Sequence, residues 1–279
     1  NETNAERLFD SKNAAPYVKD AFHERVVAEN FDAVNPAGCG TKGAAWQAIT
    51  IPAGGEVVMR CRLRPDGDAK GDAFEGFDAI FESRRAEADA FYAETISAAA
   101  TAEERSVMRQ GYAGLLWSKQ FYSLAVDEWL RGDPGQPPPP PDRASIRNGD
   151  WRNVFCRDVI SMPDNWDYPG FAAWDLAFHM LAMAEVDGDF AKEQLVLFLR
   201  EWYMHPSGAL PAYEFAFDDV NPPVHAWACW RVYKIAGKRG GRDRAFLERV
   251  FLKLMINFTW WINRKDPEGR NLFSGGFLG

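Results

Sequence analysis

Positive charge is scarce in this chain. Its 32 Lys and Arg stand against 40 Asp and Glu, leaving a formal charge of −8 over 279 residues. A nucleic-acid groove or an anionic membrane surface recruits concentrated cations, so neither partner is expected. Long apolar runs are missing as well: none approaches the roughly 18–20 residues that cross a bilayer. Cysteine is sparse and scattered, with Cys39, Cys61, Cys156 and Cys229 far apart and no CxxC pair. That usage predicts reduced, mostly buried thiols and a cytoplasmic protein. No signal peptide is visible, although Asn1 does not look like a natural start and the chain reads as a fragment. The four histidines show neither HExxH nor HxxxH spacing, so a zinc site is not expected. The glycines of Gly38–Gly43 read GCGTKG, in which Lys42 is followed by Gly43 instead of the Ser or Thr that a phosphate loop carries into its helix. No cofactor is implied.

Aromatic residues are plentiful, with 11 Trp, 8 Tyr and 20 Phe. Core packing accounts for most aromatic side chains in any protein. Trp and Tyr clustered beside carboxylates also describe a sugar cleft, because a flat ring fits the apolar face of a pyranose. Composition alone does not choose between the two.

The chain opens on a loop-rich region in which Trp46–Ile51 and Glu56–Leu63 alternate like strands about a turn at Pro52–Gly55. Two strands cannot form a stable sheet alone. From Phe74 the period turns helical. Thr101 and Glu104 have capping-box spacing, and the helix that they start is predicted to carry Val107, Met108, Leu115, Leu116, Val126 and Leu130 before Gly132-Asp-Pro134 stops it. The five prolines of GQPPPPPDR predict an extended polyproline strap. Beyond it, helices are predicted over Phe171–Glu185, Phe190–Met204, Val224–Ile235 and Phe246–Asn263, with a loop from Gly208 to Pro223 and a solvated basic turn at GKRGGRDR. Helix and loop alternate as in paired helices, without the fixed period of a solenoid. The fold class is mainly α, divided into residues 1–73 and 74–279.

The unusual chemistry gathers between Ser161 and Tyr233. Asp175 follows Trp174 in the first turn of a predicted helix, with Trp166, Tyr168, Phe171 and Phe178 nearby in sequence. Aromatic walls desolvate a carboxyl group and raise its pKa, which suits a glycosidase general acid. An acid in a first turn is equally explained by the helix dipole. His179 lies four residues on and shares that face, where it can orient the carboxylate, meet a substrate hydroxyl, or be a satisfied half-buried histidine. The loop LPAYEFAFDDVNPPVHAWA holds Tyr213, Glu214, Asp218, Asp219 and Asn221. Its two prolines pre-set a helix start at which Asn221 is expected to cap. Asp218-Asp219 lacks the continuation of a DDxxD metal motif.

The segments KDAFHERVV, AVNPAGCGTKGAA, RQGYAGLLWSKQFY, MPDNWDYPGFAAWDLAFH, HPSGALPAYEF and DVNPPVHAWA together resemble proteins related to glycoside hydrolase family 63, a group that includes processing α-glucosidase and the mannosylglycerate and glucosylglycerate hydrolases. The resemblance implies a partial (α/α)6 barrel behind the last strands of an N-terminal β-sandwich, and an inverting hydrolysis of α-glucosides or related α-linked sugars. On the family pattern Asp175 is the general acid and Asn221 lines the sugar pocket. Trp117, Lys119, Gln120, Trp166, Tyr168, Phe171, Trp174, His179, Tyr213 and Glu214 are the further residues expected at the substrate. Gly170 stands where a bulky aromatic is expected, which predicts an opened wall. The general base is expected beyond residue 279, with Glu214 as an internal alternative, so this chain alone is expected to be inactive. An incomplete barrel is expected to leave an apolar edge through which two copies can pair. The opposing reading is a non-catalytic helical module for carbohydrate binding or assembly.

Overall fold

The computed structural model describes residues 3–65, 71–134, 138–145, 149, 151–164, 168, 170–263, 269–270 and 272. Part of the proline strap, Trp166, and most of the tail NLFSGGFLG lie outside the described residues. The chain divides into two compact units, Asn1–Ala90 with Asp133–Pro138, and Phe91–Gly132 with Pro139–Gly279.

In the first unit two short helices, α1 (Ala5–Phe9) and α2 (Ala21–Val26), precede a 3₁₀ turn at Phe31–Ala33. The turn at Pro52–Gly55 forms, closed by the Gly55 amide on the Pro52 carbonyl at 2.9 Å. The two flanking runs do not pair: residues 46–51 and 56–63 carry no ladder. The two runs that read as strands are thus not paired as strands in the described residues. Trp46, Val58 and Leu63 are exposed. An alternating pattern supplies one face of a sheet and needs an opposing apolar surface to hold it.

Helix α3 spans Phe77–Thr95 and α4 spans Ala102–Trp117. The capping box of α4 is formed as read: the Glu104 amide donates to Thr101 Oγ1 at 3.2 Å, and Glu104 Oε2 accepts from the Thr101 amide at 2.8 Å. The helix does not continue to Leu130. Ser118 stops it, its hydroxyl donating to the Leu115 carbonyl at 2.6 Å. Strand β1 (Lys119–Ala125) follows, then α5 (Val126–Arg131). Strand β1 pairs antiparallel with β2 (Phe155–Ser161), Lys119 opposite Ser161 and Ala125 opposite Phe155. In the strand Tyr122 is buried while its neighbours Phe121 and Ser123 lie outside, the alternation of faces that an extended backbone imposes.

Four helices build most of the second unit: α6 (Ala173–Val186), α7 (Gly188–Leu197), α8 (Val224–Gly240) and α9 (Arg244–Asn263). Helix α6 buries Ala173, Leu176, Ala177, Met180, Met183 and Ala184, a stripe at helical spacing that meets α7 and α8. Asp187 alone joins α6 to α7. It receives the Phe190 amide at 3.0 Å as the N-cap of α7 and pairs with Lys119 at 2.7 Å. Helix α8 runs on through Gly237 and Lys238 to Gly240, so the basic turn is shorter than expected. Lys192 of α7 reaches both Asp189 and Asp243 at 2.9 Å, and Asp243 accepts the Phe246 amide in the first turn of α9. Of the cysteines, Cys156 and Cys229 are buried while Cys39 and Cys61 are exposed. Burial pushes the Cys156 and Cys229 thiols up to about 12, which makes them inert packing groups.

Candidate active site

The first turn of α6 is held from outside. An α-helix leaves its leading amides without partners, and here the loop of residues 208–223 supplies two of them. The Ala173 amide donates to the Ala212 carbonyl at 2.9 Å, and the Trp174 amide donates to Asn221 Oδ1 at 3.3 Å. The loop is itself pinched by the Ala212 amide on the Asp219 carbonyl at 2.8 Å and by a bridge between Pro211 and Val220. Its far end is tied to α9, where Asn257 Nδ2 donates to the Gly208 carbonyl at 2.7 Å. Gly208 has φ +95°, and a Cβ there would meet the Ile256 carbonyl at 2.7 Å, so no other residue fits without displacement. Asn221 therefore does not cap its own helix. The N-cap of α8 is Pro223, which makes no side-chain cap, and the buried Asn221 caps the neighbouring α6 instead.

Asp175 is the third residue of that clamped turn. It is half-buried, and its carboxylate makes no hydrogen bond or ion pair among the described residues. Beside it the rings of Trp174 and Phe178 lie 6.0 Å apart, and Phe178 lies 5.8 Å from Trp227 of α8. Phe178 and Trp227 are each nearly half exposed. Trp227 was not among the residues expected at the substrate. Its signal was the NPPVHAWA segment, whose tryptophan falls on the face of α8 turned to α6.

His179 lies one turn further along α6, its Nδ1 3.3 Å from Ser161 Oγ on β2. Burial lowers its pKa, and the charge of Asp175 acts in the opposite direction.

The remaining expected residues are distributed differently. Phe171 is buried in the core, its ring 5.9 Å from Tyr122, 5.6 Å from Phe198 and 5.6 Å from Tyr203. Trp117 is 79% exposed at the end of α4. The Lys119 ammonium is bonded to Asp187 and lies over the Phe190 ring. Asp187 follows the last turn of α6, and twelve residues of helix put it roughly 18 Å along the axis from Asp175. Gln120 holds the Asp164 carbonyl at 3.1 Å. Tyr168 is partly exposed. The Tyr213 hydroxyl donates to Asp219, which raises its pKa. Glu214 receives the Tyr122 hydroxyl, and burial followed by the Glu214 charge drives the Tyr122 pKa far upward.

Gly170 belongs to this last contact. A Cβ at Gly170 would stand 2.8 Å from the Glu214 carboxyl carbon, so the carboxylate fills the volume that a larger residue would take. The wall expected to be open is thus occupied by Glu214. Among the described residues no three His, Cys, Asp or Glu side chains gather as a metal site would need, and no helix is long and apolar enough to cross a membrane.

Residues 168–276, which contain the clamped turn and Asp175, match the mannosylglycerate hydrolase MGH1-like glycoside hydrolase domain. Over these residues the chain is therefore similar to glycoside hydrolases of the MGH1-like kind, which are related to glycoside hydrolase family 63. An uncharacterized protein of Saccharomyces cerevisiae is 50% identical over 293 residues, an alignment covering 100% of this chain and 27% of the yeast protein. The chain thus spans little more than a quarter of the length of that relative.

Proposed function

We propose that the protein, at the length of its yeast relative, is an inverting glycosidase acting on α-linked glucosides or related sugars, mannosylglycerate-type compounds included. In this reading Asp175 is the general acid. Its carboxyl group gives a proton to the glycosidic oxygen as the bond to the anomeric carbon breaks. A second carboxylate, about 6.5–9.5 Å away across the sugar, takes a proton from the water that attacks the opposite face. Glu214 is committed to Tyr122 beneath Gly170, so we assign the base to a carboxylate outside residues 1–279. The paired helices of residues 74–279 then form the first part of an (α/α)6 barrel, and residues 1–73 belong to a preceding β domain.

One observation carries the reading. Within a segment that matches a glycoside hydrolase domain, the only acid in the first turn of α6 is left unpaired among the described residues, on a turn whose amides are held by a separate loop. Such a carboxyl group is carried on a held turn and has no protein hydrogen-bond partner to give up before it meets a substrate oxygen, the placement that general acid catalysis requires. The test is a panel of α-glucosyl and α-mannosyl compounds given to the full-length protein and to its Asp175→Asn variant, with the released anomer followed. Hydrolysis with inversion, reduced about 10²–10⁴-fold or more by the substitution, is the expected result. Hydrolysis that survives the substitution would remove Asp175 from the mechanism.

A further inference from the structure

His179 ends a chain of buried polar contacts whose direction can be worked out by counting protons. Its Nδ1 lies 3.3 Å from Ser161 Oγ, Ser161 Oγ lies 3.4 Å from Ser118 Oγ, and Ser118 Oγ lies 2.6 Å from the Leu115 carbonyl oxygen. Ser161 and Ser118 are buried, at 1% and 7% exposure, so each contact left without a proton is a lost hydrogen bond. The Leu115 carbonyl can only accept, so the single hydroxyl proton of Ser118 goes to it. The Ser118 oxygen must then accept from Ser161, which uses the only hydroxyl proton of Ser161. The remaining contact, between Ser161 and His179, has a proton only if Nδ1 carries it. Three contacts and three protons run one way. With the proton on Nε2, the two serines would face each other with no proton between them. Ser161 is fixed from its other side by Gln194, whose Oε1 accepts the Ser161 amide at 3.0 Å and whose Nε2 donates to the Val159 carbonyl at 2.9 Å.

We propose that His179 is a positioning residue locked as the Nδ1–H tautomer, presenting Nε2 as a fixed hydrogen-bond acceptor one helical turn from Asp175, where it receives a hydroxyl of the bound sugar. The sugar contact rests on the hydrolase reading above, whereas the tautomer does not. Imidazole geometry turns the Nε2 lone pair away from the nitrogen that holds Ser161, and Nε2 makes no hydrogen bond among the described residues. A neutral ring is what burial of His179 favours. Acceptors and donors in a sugar site are not interchangeable, and a ring held in one tautomer discriminates among hydroxyl orientations where a freely exchanging one would not.

The test labels the histidines with ¹⁵N and records long-range ¹H–¹⁵N correlations near neutral pH, with His179→Gln to assign the signals. A protonated-type Nδ1 and a bare Nε2 at His179 are expected, and this preference should weaken in Ser161→Ala. An Nε2–H tautomer in the unmodified protein would overturn the proposal, whatever the serine variant does. Methyl α-glucoside and methyl α-mannoside are then added. Movement of the His179 Nε2 signal with the tautomer unchanged supports the sugar contact. Sugar-induced shifts elsewhere with Nε2 unmoved would overturn that contact alone. No response anywhere would count against the hydrolase reading, while the tautomer still decides whether the proton chain exists.

Discussion

Asp175 and His225 are two polar side chains near the same helix ends, with opposite fates. The carboxylate of Asp175 is half-buried and without a hydrogen-bond partner among the described residues. His225 is buried, donates from Nε2 to the Leu195 carbonyl at 2.8 Å, and keeps Nδ1 unpartnered. Burial pushes its pKa down to about 4, the bond to Leu195 acting weakly the other way. The unfolded chain, with an ordinary histidine near 6.5, binds a proton first on acidification. The contribution of His225 is therefore fully present above pH 6.5 and is lost as pH falls through 4, about 3 kcal/mol in total. We expect His225→Gln, which keeps an N–H donor and cannot titrate there, to flatten the loss of stability between pH 6.5 and 4 in denaturant melts. Equal slopes for the two proteins would contradict this. The sequence placed His225 beside a loop, but burial depends on α7 lying across α8, which no local pattern records.

At the scale of elements, the loop of residues 208–223 and the start of α6 act as one unit. Asn221→Ala removes the acceptor for the Trp174 amide and is expected to cost about 0.5–2 kcal/mol, the range for losing a helix cap, in equilibrium unfolding. An unchanged midpoint would mean that water replaces the side chain. Gly170 and Glu214 form a second joint. Gly170→Ala puts a Cβ into the Glu214 carboxylate and should destabilise by about 1–3 kcal/mol, yet it should be close to neutral in a Glu214→Ala background. Additive costs in the double variant would show that the two residues do not compete for one space.

These joints also show what could be read from the chain. The capping box at Thr101 and the four helices of the second unit were legible, because caps and apolar spacing are local signals. Strands β1 and β2 were not. Val126 and Leu130 continue the spacing of α4 across the strand, and only Phe155–Ser161, some thirty residues on, tells KQFYSLA to extend. Asn221 was read as the cap of the helix that follows it, which is the local answer. Its real partner is forty-seven residues away.

For the whole molecule, the exposed face of α9, with Phe251, Leu252, Phe258 and Ile262, is more apolar surface than a solvated helix ordinarily shows. Sedimentation of this chain by itself should reveal concentration-dependent self-association, and a monomer at all concentrations would contradict that expectation. With the base assigned outside residues 1–279, this chain alone is also expected to release no sugar. The family likeness was read from segments along nearly the whole sequence, and the domain match falls on residues 168–276, the part that holds Asp175.

The most direct measurement compares α-glycoside hydrolysis by the full-length protein and by Asp175→Asn, with folding of both verified by circular dichroism. The account predicts an inverted anomer from the first and a rate lower by a factor of about 10² or more from the second. Equal rates from the two proteins would contradict it.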